Sequence, residues 1–160
     1  MIRAITFLTL IIIFGASNSA LFQKEIVVIK TQEVQRIEIG KSSEIVIKSV
    51  VKNGYHIQAN PVADEFLIPT RVTIKSADGF RIGEPVYPVG KPFSFQGMGD
   101  KFSVYGGEFM VKLPITLASS VAPKEYLLEG ELHYQACDSA TCLAPRTIPF
   151  ELKIQAAAAK

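Results

Sequence analysis

Apolar and polar residues alternate with a period of two along almost the whole chain. Between Glu108 and Leu117 the apolar positions are Phe109, Val111, Leu113, Ile115 and Leu117, with Met110, Lys112 and Thr116 between them. This predicts a strand with one buried face, because successive side chains leave a strand on opposite sides. Leu128, Leu132 and Tyr134 alternate in the same way with Glu129, Glu131, His133 and Gln135. So do Ile148, Phe150, Leu152 and Ile154 with Thr147, Glu151 and Lys153. Shorter strands are predicted over 25–30, 34–39, 44–51, 55–59, 71–76, 81–87 and 102–105. Turn residues fall between them: Asn53-Gly54, Asn60-Pro61, Asp78-Gly79, Gly97-Met98-Gly99-Asp100 and Gly106-Gly107.

Short strands at roughly ten-residue spacing, with no helical stripe between them, point to an antiparallel sandwich rather than to parallel βαβ units. The expected fold is all-β, an immunoglobulin-like antiparallel β-sandwich. It lacks the antibody hallmarks, since the chain has no Trp and its two cysteines stand too close together to bridge the sheets. One domain is expected over residues 20–155, with 156–160 as a frayed tail. Residues 1–19 read as a secretory signal peptide. Met1-Ile2-Arg3 leads into the apolar run Ala4 to Phe14, and the small residues Gly15-Ala16-Ser17-Asn18-Ser19 suit cleavage after Ser19 or Ser17. That run is short of the roughly 20 residues a membrane helix needs. The mature chain is expected to be soluble and outside the cytoplasm, without stable membrane insertion.

The composition agrees with a packed domain: 160 residues, 48 % hydrophobic and 20 % charged. A net charge of +2 without a basic cluster gives nucleic acid no electrostatic footprint. No Ser, His and acid arrangement has a nucleophile context, and Tyr105-Gly106-Gly107-Glu108 leads into a strand rather than a phosphate-binding helix. His56, His133, Cys137 and Cys142 lack metal-site spacing, even with Met98 or Met110 added for copper. No metal and no cofactor is expected.

Cys137 and Cys142 carry the chemistry. Outside the cytoplasm a cysteine pair is expected to form a disulfide, and these two flank the connection of a hairpin, where facing positions come close enough to bond. Simple alternation places Cys137 on the polar face with His133 and Gln135, with at least one sulfur near solvent. A bridge this local closes a small loop, which the chain-entropy account rewards least. Two readings stay open on the residues alone. One is thiol exchange, with His133 or Arg146 favouring a thiolate and Asp138 opposing it. The other is a non-enzymatic secreted interaction module in which the bond only staples a hairpin.

Tyr134-Gln135-Ala136-Cys137, then Cys142 and Pro145 before a last strand, resembles the N-terminal periplasmic domain of the thiol:disulfide interchange protein DsbD. The resemblance extends upstream through Asn53-Gly54-Tyr55-His56, Asn60-Pro61, Leu67-Ile68-Pro69-Thr70, Pro85 with Tyr87-Pro88, Val104-Tyr105 and Leu113-Pro114. One proline follows the second cysteine where the family often has two. The resemblance implies an immunoglobulin-like protein-disulfide reductase or electron-transfer domain whose cysteines shuttle between dithiol and disulfide. Electrons would come from a membrane thiol reductase, here expected on another polypeptide. They would pass to thioredoxin-fold periplasmic proteins, including cytochrome c maturation factors. The resemblance gives Cys142 the mixed disulfide with partners and Cys137 its resolution. It also implies a cap loop over the pair, sought in Phe93-Ser94-Phe95-Gln96-Gly97-Met98, with Phe95, Met98, Tyr105 and His133 as cap or partner-binding residues.

Overall fold

The structure is a computed structural model and describes residues 25–30, 33–62, 64–75, 77–94 and 102–158. Its strands are β1 (Val27–Lys30), β2 (Gln35–Glu38), β3 (Ser42–Val51), β4 (His56–Gln58), β5 (Arg71–Ile74), β6 (Phe80–Ile82), β7 (Lys91–Phe93), β8 (Phe102–Tyr105), β9 (Glu108–Leu117), β10 (Glu125–Tyr134), β11 (Ala136–Cys137) and β12 (Arg146–Ala157). They form three four-stranded sheets, ordered β1-β3-β9-β6, β2-β12-β10-β5 and β11-β4-β8-β7. The all-β immunoglobulin-like sandwich is therefore as the alternation predicts. No helix among the described residues is long and apolar enough to cross a membrane.

The first two sheets are the layers of the sandwich. Ile45 and Ile47 on β3 and Val111, Leu113, Ile115 and Leu117 on β9 share one buried cluster with Leu128 and Leu132 on β10 and Leu152 and Ile154 on β12. Burying each such side chain is worth about 1.5–3 kcal/mol. The polar residues between them, such as Lys112, Glu129 and Glu151, remain exposed. A slip of one residue in any strand would exchange the two sets, so the alternation also fixes the register.

The third sheet grows from both layers. β3 passes into β4 through the turn Lys52–Tyr55, and β8 passes into β9 through Gly106-Gly107, where Gly107 has φ 64°. Val50 faces Glu108 and, beyond the turn, Ile57 faces Tyr105, so the Lys52–Tyr55 turn is extra chain that the partner strand does not match. From the other layer, β10 ends at Tyr134 and the chain crosses at Gln135 to pair as β11 with β4.

Four features differ from the sequence expectation. Ala156 and Ala157 do not fray: they extend β12, pair in parallel with Ile37 and Glu38 of β2, and are buried. A run of small residues gives no periodicity to read. The predicted 81–87 strand stops at Ile82, because Pro85 has no N–H for the ladder, and Val86 rejoins β9 at Lys112. β7 was too short to leave a pattern. The β2–β12 pair is parallel within otherwise antiparallel sheets.

Candidate functional site

Cys137 and Cys142 are joined by a disulfide, with their Cα atoms 3.9 Å apart. Asp138 N donates to Thr141 O at 2.9 Å and Leu143 N to Ala136 O at 2.7 Å. These bonds bracket the two cysteines, making them a non-hydrogen-bonded antiparallel pair, the type in which facing side chains lie closest. The connection is capped by Asp138, whose Oδ1 accepts from Ala140 N and Thr141 N, each at 2.8 Å. Those two N–H groups hold the Asp138 carboxyl below its ordinary pKa. Gln135 Nε2 braces the base of the hairpin on Leu143 O at 3.2 Å.

The two cysteines differ in exposure. Cys142 is exposed, whereas Cys137 is 0 % exposed. The expectation that Cys137 shares the polar face with His133 and Gln135 is corrected here. Alternation counted along β10 ends where the chain changes sheet at Gln135, and both residues of β11 are buried.

The register of the third sheet shows what surrounds Cys137. Cys137 faces His56 on β4, and since Ile57 faces Tyr105, His56 lies opposite Gly106. Gly106 is needed for close approach, because a Cβ there would meet His56 Cδ2 at 3.0 Å. Gln58, two residues on, shares the face of His56. Its Nε2 lies 3.4 Å from Cys137 Sγ, and its Oε1 is buried without a hydrogen-bond partner among the described residues. The His56 ring stacks on Phe93 of β7, centroids 4.0 Å apart. His56 Nδ1 is also buried and has no hydrogen-bond partner among the described residues, and burial lowers the imidazole pKa below 6.5. Cys137, His56, Gln58 and Phe93 therefore line one face of the small sheet.

Other sequence candidates fall elsewhere. Tyr105 points to the opposite, core face and is 3 % exposed. Its hydroxyl accepts from Asn60 N at 3.0 Å and reaches the carbonyls of Pro88 and Asn60 at 3.0 and 3.2 Å. Burial raises its pKa, partly offset by the Asn60 bond. His133 sits in the second layer, with Nδ1 2.9 Å from Thr147 Oγ1. Arg146 hydrogen-bonds Tyr134. Phe95 and Met98 lie outside the described residues. The sequence reading missed His56 and Gln58 as neighbours of Cys137. Alternation over 55–58 puts them on one face, but nothing in the sequence says that β4 is the strand beside the cysteine. Among the described residues no three of His, Cys, Asp and Glu gather as metal ligands.

Fold and site together define an immunoglobulin-like domain that presents a cysteine pair at the end of a hairpin. The sequence matches the family described as thiol:disulfide interchange protein DsbD, N-terminal, over residues 26–154, and the chain belongs to that family. No curated protein matches the sequence. Among solved structures, the N-terminal periplasmic domain of ScsB from Proteus mirabilis is similar at 12 % identity and a TM-score of 0.48. The match covers 74 % of this chain and 43 % of that one. AggA, the major subunit of aggregative adherence fimbriae type I from Escherichia coli, has 9 % identity and a TM-score of 0.36, over 82 % and 94 % of the two chains. The PapD-like domain 7 of human CEP192 has 12 % identity and a TM-score of 0.32, over the full length of both.

Proposed function

We propose that this domain is a periplasmic thiol:disulfide exchange carrier, taking electrons from a membrane thiol reductase and passing them to thioredoxin-fold or cytochrome c maturation partners. The unequal exposure of the two cysteines carries the reading. A partner thiolate attacks Sγ of exposed Cys142, the Cys137–Cys142 bond breaks, and Cys137 leaves as a thiolate. The donor's second thiolate then attacks its own sulfur in the mixed disulfide and releases Cys142. The donor dithiol is thereby oxidised to a disulfide, and the two electrons and two protons end on Cys137 and Cys142. Delivery runs in reverse: Cys142 attacks the acceptor disulfide, and Cys137 resolves the mixed disulfide by attacking Cys142. His56, half-buried on the strand facing Cys137 and with its pKa lowered by that burial, is suited to exchange a proton with Cys137. Phe95 and Met98, on the chain leaving β7, are the residues proposed to cap the pair until a partner docks.

The test is the reduction potential of the couple, from mature protein equilibrated in thiol redox buffers, with alkylated thiols counted by mass. A potential above about −300 mV is expected for an exchanging pair. Cys137→Ser should then trap partners on Cys142, whereas Cys142→Ser should trap none. A bond that stays closed in strongly reducing buffer until the protein unfolds would leave only a stapled hairpin.

A further inference from the structure

We infer that Gln58 sets the redox balance of the cysteine pair, by hydrogen-bonding Cys137 more strongly in the dithiol than in the disulfide. The inference rests on the exchange reading of Cys137 and Cys142 and names a residue that tunes it.

Gln58 is 0 % exposed, a long polar side chain where an apolar one would pack at lower desolvation cost. Its backbone cannot withdraw. Gln58 N donates to Gln135 O at 3.2 Å, while Gln58 O accepts from Thr70 N at 3.2 Å and from the buried Thr70 hydroxyl at 2.5 Å. The side-chain amide is thus held against Cys137. In the disulfide it gains little, since Nε2 meets a weak sulfur acceptor at 3.4 Å and Oε1 has no hydrogen-bond partner among the described residues.

Reduction changes what the sulfur offers. A Cys137 thiolate accepts a charge-assisted bond from Nε2–H, and a Cys137 thiol donates S–H to Oε1 once the amide turns over. Either protonation state of the reduced cysteine satisfies the amide better than the disulfide does. Gln58 therefore favours the dithiol and raises the reduction potential. When a donor thiolate attacks Cys142, the electron pair of the broken S–S bond goes to Cys137 Sγ. A donor N–H waiting there lowers the basicity of that leaving group and speeds its departure.

The test compares wild type with Gln58→Met, which removes the amide and keeps the volume. In glutathione buffers the variant's equilibrium constant for reduction should fall about tenfold, which is about 30 mV for a two-electron couple. In the Cys142→Ser background, the ultraviolet thiolate absorbance of Cys137 should appear at higher pH when Gln58 is Met. An unchanged potential and unchanged thiolate titration in a folded variant overturn the inference and leave the exchange reading intact. Should Gln58→Met fail to fold, wild type decides by NMR. The Gln58 side-chain amide resonances should move on reduction, and amide resonances identical in both redox states overturn the inference. A wild-type disulfide that glutathione cannot open without unfolding overturns the exchange reading, and this inference with it.

Discussion

The imidazole of His56 lies against the ring of Phe93 with centroids 4.0 Å apart and the planes tilted by 34°. The contact joins β4, which carries the strand beside the cysteines, to β7 at the far edge of the same sheet. It also covers part of a titratable ring whose pKa is lowered by burial.

Phe93→Ala should therefore rehydrate His56. The expected outcome is a rise of the His56 pKa toward 6.5, read from its ring proton shifts in an NMR titration. Reduction of the disulfide should also be faster, because the face shared with Cys137 is more open. A titration curve identical to wild type would mean that other groups keep the ring dry.

Stability should depend on pH through the same residue. Because the folded-state pKa lies below 6.5, the unfolded chain takes up the proton first as the pH falls. Stability is then fully present above about pH 6.5, declines as the pH drops toward the folded pKa, and levels off below it. Urea midpoints between about pH 5 and 7.5 should follow that curve in wild type and flatten in His56→Gln. Asp138 and Glu129, whose carboxyls are held below their ordinary values, stabilise the fold throughout that range and lose their contribution only in more acidic solution.

Tyr105→Phe should destabilise the fold without changing the redox chemistry. Loss of the hydroxyl leaves Asn60 N and the Pro88 carbonyl without that partner, at a cost of about 1–3 kcal/mol. The residue faces away from Cys137, so the reduction potential should match wild type. Chemical denaturation and redox equilibration of the same sample separate the two effects.

Deleting residues 156–160 should cost on the order of 1–3 kcal/mol, because it removes the pairing of Ala156 and Ala157 with Ile37 and Glu38 and the bond from Ala156 N to Lys124 O. A tail without structural role would leave the urea midpoint where it is.

The long strands were legible because each buries one face. β9 runs from Glu108 to Leu117, as its alternation requires, β12 contains its expected span, and β10 stops at Tyr134, one residue before the expected Gln135. The cysteine hairpin was equally plain, because the disulfide needs only proximity along the chain. Sequence periodicity could not carry across Gln135, where the strand leaves one sheet and enters another, so the face assigned to Cys137 was the wrong one. Tyr105 follows the same logic. Its alternation within β8 was visible, but which side of β8 meets the core depends on sheets formed by distant segments. Gln58 and His56 reach Cys137 only through the β4–β11 register, a contact between residues far apart in sequence.

The small sheet takes β4 and β8 from one layer of the sandwich and β11 from the other. Cys137 and His56 thus face each other across a seam between chain segments anchored in opposite halves of the molecule. Sliding of the two layers relative to one another would shear that seam and draw Sγ away from the amide of Gln58. A partner that wedges or clamps the layers could in this way change sulfur reactivity without touching either cysteine.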